Sequence, residues 1–101
     1  MPIFLEVCAE LDIPDGRPLS IEVDGTRVAV YRVEGEVYAL SGRCPHANGP
    51  MGLGWIEEGE AVCPLHRWRF RLKTGRCSTV RGESIPVYPC EVRAGRVWVG
   101  L

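Results

Sequence analysis

The chain of 101 residues is 46% hydrophobic and 25% charged, with a formal net charge of −1. That near-neutral balance gives no electrostatic case for nucleic acid or a membrane surface, and no apolar run approaches the ~20 residues that a membrane-spanning helix needs. The length predicts one domain, residues 1–101, able to bury roughly 65% of the surface its unfolded chain exposes.

The first stretch, Met1 to Glu10, lacks a basic segment and carries Glu6, so no signal peptide is expected and the default compartment is the cytosol. Ile3 to Cys8 alternates as a first strand. Leu11 to Gly16 contains Pro14 and Gly16 and reads as a turn or a single helical turn. Leu19 to Val23 and Arg27 to Val33 are β-rich runs joined through Asp24-Gly25, a hairpin signal. Glu34-Gly35 leads from the second of these to a third run, Glu36 to Leu40. Val28 and Val30 lie on one face of the second run and Ala29, Tyr31 and Val33 on the other, which predicts a strand covered on both sides.

Ser41 to Gly54 is dense in glycine and proline and forms loop. Trp55 to Ala61 resumes extended structure around Glu58-Gly59. Trp68 to Lys73 alternates most cleanly of all: Trp68, Phe70 and Leu72 point one way, Arg69, Arg71 and Lys73 the other. Thr74-Gly75 closes it. Ile85 to Tyr88, Glu91 to Arg93 and Arg96 to Val99 complete the chain, the last two around Ala94-Gly95. Short strands at this spacing predict an all-β fold, an antiparallel sandwich or small barrel, with two metal-binding loops at one end.

Both histidines of the chain fall in one pattern: Cys44-Pro45-His46, then Cys63-Pro64-Leu65-His66. Two thiolates and two imidazoles are the donor set of an iron–sulfur or zinc site. In the cytosol, five cysteines point to metal ligation and not to a disulfide framework. The proline after each cysteine fixes its own φ and keeps the cysteine extended. A single zinc accepts this donor set tetrahedrally, so a zinc-stabilised interaction module is one reading. Zinc knuckles, however, pair Cys with Cys and His with His. A binuclear cluster suits the mixing better, the cysteines reaching one metal and the histidines the other.

Elsewhere the plainer readings hold. Cys8, Cys77 and Cys90 read as small buried apolar residues, and Trp55, Trp68 and Trp98 as packing residues. Glu57, Glu58 and Glu60 are explained by their turn. No nucleophile–base pair, phosphate loop or nucleotide fingerprint is present.

The two Cys/His loops resemble the Rieske iron–sulfur signature. Val28 to Val33 and Glu36 to Leu40 resemble the strands before the first loop. Trp68-Arg69-Phe70 with Thr74-Gly75 resembles the segment after the second loop, and Arg96 to Val99 the closing strand. The profile is most similar to the small Rieske-type ferredoxins of aromatic-ring dioxygenases and to small subunits of assimilatory nitrite reductase. The resemblance implies one [2Fe–2S] cluster, with Cys44 and Cys63 on one iron and His46 and His66 on the other. It implies a soluble one-electron carrier, not itself an enzyme, between a reductase and a terminal oxygenase or other oxidoreductase. The alternative within it is a subunit bound to a nitrite reductase large chain.

Departures from the family are specific. High-potential Rieske proteins carry a second cysteine in each loop, joined as a disulfide; here those positions are Gly49 and Leu65. Their hydroxyl donors to the cluster find no match after His66, which implies a potential at the low end of the range, roughly −150 mV. Arg67 stands where glycine is usual, and Thr79 to Ser84 lacks the prolines common in the third loop. Ala61 to Gly82 carries Arg67, Arg69, Arg71, Lys73, Arg76 and Arg81 and no acidic residue. That stretch is either a solvated face or a basic docking surface beside the His46/His66 tip, its candidates Arg67, Arg69, Arg71 and Lys73.

Overall fold

A computed structural model describes residues 2–101. Its strands are β1 (Phe4–Ala9), β2 (Leu19–Val23), β3 (Thr26–Val33), β4 (Glu36–Ser41), β5 (Trp55–Glu57), β6 (Glu60–Val62), β7 (Arg69–Arg71), β8 (Val87–Tyr88), β9 (Cys90–Arg93) and β10 (Arg96–Gly100). Single 3₁₀ turns occupy Glu10–Asp12 and Met51–Leu53. Among the described residues no helix is long and apolar enough to cross a membrane.

Four two-residue turns build the hairpins. Asp24-Gly25, Glu34-Gly35, Glu58-Gly59 and Ala94-Gly95 each put both residues at positive φ, 49 to 51° for the first and 76 to 80° for the glycine. Two successive left-handed residues make the type I′ turn, whose twist matches that of the paired strands. The turns fix the register: Val23 faces Thr26, Val33 faces Glu36, Glu57 faces Glu60 and Arg93 faces Arg96.

The strands form three antiparallel sheets, in the orders β1-β10-β9, β2-β3-β4-β8 and β5-β6-β7. Alternation along β3 explains how they stack. Val28 and Val30 join Cys8, Ile13, Ala39, Val97 and Val99 in one core, on the side of β1 and β10. Ala29 and Tyr31 join Leu40, Cys44, Ala61, Cys63 and Phe70 in the other, on the side of β6 and β7. The four-stranded sheet is thus covered on both faces, and Val28 through Tyr31 are fully buried, as the two-sided apolar run predicts.

The all-β antiparallel expectation holds, but none of the three sheets closes into a barrel. The Trp68–Lys73 run is also shorter as strand than expected. Arg71 donates its N–H to the Arg76 carbonyl at 2.8 Å and accepts from Gly75 at 2.7 Å, so a tight turn begins at Leu72. Burial still alternates there, with Phe70 and Leu72 inside and Arg71 and Lys73 outside.

Candidate metal centre

The first loop leaves β4, and the second joins β6 to β7. They are built alike. The Cys44 N–H donates to the Gly49 carbonyl at 2.8 Å, and the Cys63 N–H donates to the Trp68 carbonyl at 2.9 Å. Each loop is therefore closed five residues after its cysteine. Each turns through two consecutive residues at positive φ, Ala47 (108°) and Asn48 (52°) in the first, His66 (62°) and Arg67 (56°) in the second. Arg67 accepts the left-handed geometry that glycine takes without strain.

This shared construction brings the four sequence-predicted donors together in two pairs. Cys44 and Cys63 are wholly buried and share one core. Burial pushes the Cys44 thiol up to about 11; the His46 backbone N–H opposes this and Cys63 reinforces it. The Cys44 thiol is thus neutral near pH 7 and gives up its proton when a cation compensates the charge. Above it, His46 Nε2 lies 2.6 Å from His66 Nδ1, with ring centroids 4.7 Å apart. His46 Nδ1 is 3.6 Å from Cys44 Sγ. His46 is half-buried and His66 exposed.

The donors and their surroundings fit a binuclear iron–sulfur group. An inner thiol pair with an outer imidazole pair suits two metal atoms better than one zinc. Gly49 completes the cradle. A Cβ there would lie 2.7 Å from Cys63 Sγ and 3.4 Å from Leu65 Cδ1. Residues 49 and 65 thus face each other across the loops, where the resemblance places the missing disulfide.

Three aromatic residues belong to this neighbourhood that the sequence pattern does not assign to it. The Trp68 ring stacks on His46 with centroids 4.3 Å apart and planes 18° apart, and Phe70 lies tilted behind it at 6.4 Å. Tyr31 is fully buried in the same core as both cysteines. Its position opposite Val28 and Val30 is legible in the alternation of β3; its neighbours are not.

The basic segment is divided. Arg69 reaches Glu57, Glu58 and Glu60 at 3.4, 3.4 and 3.1 Å and is only 23% exposed, and it also donates to the Glu57 carbonyl at 2.9 Å. Ser78 donates to the same Glu60 at 3.1 Å. The three glutamates are therefore partners of a structural arginine as well as residues of a turn, and Arg69 is not a free docking charge. Arg67, Arg71 and Lys73 are exposed. Arg71, Arg76 and Arg81 line an open cleft of about 800 Å³. Of the remaining cysteines, Cys8 is buried as expected, whereas Cys77 and Cys90 are only half-buried.

The Rieske [2Fe–2S] domain family profile matches residues 3–89. The ferredoxin component of the naphthalene 1,2-dioxygenase system of Pseudomonas aeruginosa is 38% identical over 100 residues, spanning 97% of this chain and 95% of its own. The solved ferredoxin of carbazole 1,9a-dioxygenase from Nocardioides aromaticivorans IC177 superposes with a TM-score of 0.87 at 30% identity, covering 95% of each chain. A Mycobacterium tuberculosis protein assigned as an NADH-dependent nitrite reductase small subunit superposes with a TM-score of 0.91 at 27% identity, covering 100% of this chain and 96% of its own.

Proposed function

Since this chain belongs to the Rieske [2Fe–2S] family, as an electron-transfer ferredoxin with one cluster and not as a catalyst, we propose that Cys44 and Cys63 hold one iron and His46 and His66 the other. The observation that carries this assignment is the pairing of two like-built loops, buried thiols beneath paired imidazoles. When bound, the cluster supplies a one-electron couple, less negative in charge than an all-cysteine site. The protein's own part is to keep the sulfur end dry with Gly49 and the core around Tyr31 and Phe70. Trp68 holds the His46 ring, and the two loops form the tip of the β scaffold.

The partners of this reading are a reductase that gives the electron and a terminal ring-hydroxylating oxygenase that takes it, as the dioxygenase systems of its relatives imply. Docking is at the His46/His66 tip, beside Arg67, while Arg71 and Lys73 lie toward the Glu58-Gly59 turn at the other end of β6 and β7 and act by longer-range steering. The compartment assigned is the cytoplasm, where five free cysteines persist. The structural likeness to a nitrite reductase small subunit favours a second reading, permanent association with a large catalytic chain.

The test is chemical analysis of the purified protein with the EPR spectrum of its reduced form. Two irons and two acid-labile sulfides per chain are expected, the number of atoms in one [2Fe–2S] cluster. Colourless protein holding zinc would replace the carrier by a zinc-stabilised module. Turnover with a dioxygenase reductase and oxygenase supports the first partner set; a stable complex with a nitrite reductase large chain supports the second.

A further inference from the structure

Beside β7 the chain doubles back twice. The Arg71 N–H donates to the Arg76 carbonyl at 2.8 Å, the Cys77 N–H to the Glu83 carbonyl at 2.9 Å and the Ile85 N–H to the Gly75 carbonyl at 2.8 Å. These bonds frame the open cleft of about 800 Å³, and they hold Arg71, Arg76 and Arg81 on its walls with a single carboxylate, Glu83. Among the described residues Arg76, Arg81 and Glu83 form no ion pair, and Arg71 reaches only Glu60, at 4.0 Å. Serine and threonine hydroxyls line much of the wall between them. An apolar ligand finds little to bury against there. Guanidinium forks instead take a carboxylate or a phosphate through two parallel hydrogen bonds. Three like charges gathered by backbone geometry, in a chain of net charge −1, call for an anion from outside.

Exposure decides which anion. All three arginines are exposed, and at such a surface one ion pair contributes little and is screened by salt. A lone phosphate is therefore held weakly. A segment with several carboxylates engages the arginines together, each later contact forming within a pair already joined. We propose that the cleft is a docking groove for an acidic segment of the redox partner, a contact separate from the His46/His66 tip. The inference rests on the carrier reading above, in which the partners are proteins. The groove is fixed to the strand that leaves the second metal loop: the Ser78 N–H donates to the Arg69 carbonyl at 2.8 Å, and the Arg69 N–H to Thr79 Oγ1 at 3.1 Å. Charged contacts of this kind speed encounter and let go in salt, as a carrier that leaves after each electron requires.

The probe is fluorescein-labelled hexaglutamate, titrated with the iron-loaded protein and read by fluorescence anisotropy. At about 0.1 M salt the screening length is about 10 Å, so distant charges count for little. Arg76→Glu with Arg81→Glu is expected to weaken binding about tenfold, and R76Q/R81Q less but in the same direction. Arg17→Glu with Arg27→Glu, outside the cleft, makes the same change of net charge and is expected to leave binding within about twofold. In electron exchange with the reductase and oxygenase, R76E/R81E raises the KM for the carrier several-fold at unchanged reduction potential. Iron, sulfide and EPR spectra, measured first, test the carrier reading separately, since the peptide reports on the cleft alone. No binding by the parent, equal affinity of parent and R76E/R81E, or an unchanged KM with both partners would overturn the proposal. Displacement of the peptide by equimolar inorganic phosphate at constant ionic strength would overturn it too, making the cleft a small-anion site.

Discussion

At the scale of single residues, the second loop carries strain that its function does not require. His66 and Arg67 are consecutive left-handed residues, φ 62° and 56°. An L-residue with a Cβ pays roughly 1–2 kcal/mol there, and glycine does not. Arg67→Gly relieves that strain, partly offset by the greater freedom of glycine in the unfolded chain. The expected gain is about 1 kcal/mol, read as a melting temperature raised by roughly 4–8 °C in calorimetry of the loaded protein. Gly49 behaves in the opposite way. Its missing side chain leaves room for Cys63 Sγ, which a Cβ would approach to 2.7 Å. Gly49→Ala pushes the thiol off its partner, and the purified variant is expected to lose most of its iron while keeping a β-rich circular dichroism spectrum. Retention of full iron would mean that the loops part more easily than this contact implies. The four candidate donors were legible in the sequence because both histidines fall in one short pattern. The place of Trp68 was not, since its neighbour His46 comes from the other loop.

At the scale of elements, the hairpins were the most legible part of the chain. Each X-Gly dipeptide marks its own turn, because a two-residue connection between twisted strands needs two left-handed residues and glycine supplies one at no steric cost. The first position is less well served. Glu34, Glu58 and Ala94 occupy it with φ near 50°, where asparagine is at home. Ala94→Asn, at the exposed β9–β10 turn and distant from the loops, is expected to stabilise by about 0.5–1 kcal/mol. A higher urea midpoint with an unchanged slope is the signature. The end of β7 was not legible. Trp68 to Lys73 keeps its alternation of burial, but which backbone groups pair is decided by the turn at Gly75 and by the return of Arg76 alongside Arg71. Periodicity reports sides, and not hydrogen-bond partners.

At the scale of the whole molecule, the two-sided run in β3 foretold a covered strand, yet not that three sheets would stack with it in the middle. With no hydroxyl donor in the residues that follow His66, the potential is expected near the low end of the Rieske range, roughly −150 mV. A clearly positive midpoint in a redox titration would contradict that count of donors.

The charge distribution makes the last prediction, and here the structure divides a segment that the sequence groups together. Net charge is −1, so any steering of a partner must come from local asymmetry and must fade with salt. Arg69 contributes little to it, since Glu57, Glu58 and Glu60 surround its guanidinium. Arg71 is 66% exposed and 4.0 Å from the nearest carboxylate, and Lys73 is exposed beside it. Reversing both, Arg71→Glu with Lys73→Glu, is expected to slow electron exchange with the partner several-fold at about 0.01 M salt. The difference closes near 1 M, where the screening length falls to about 3 Å. Arg69→Glu separates the two roles: it sets a fourth carboxylate among three and loosens the β5–β7 sheet, so its defect appears in melting temperature and persists at high salt. Equal exchange rates for the parent and the double variant at low salt would reduce the basic segment to a solvated face and leave docking to the histidine tip alone.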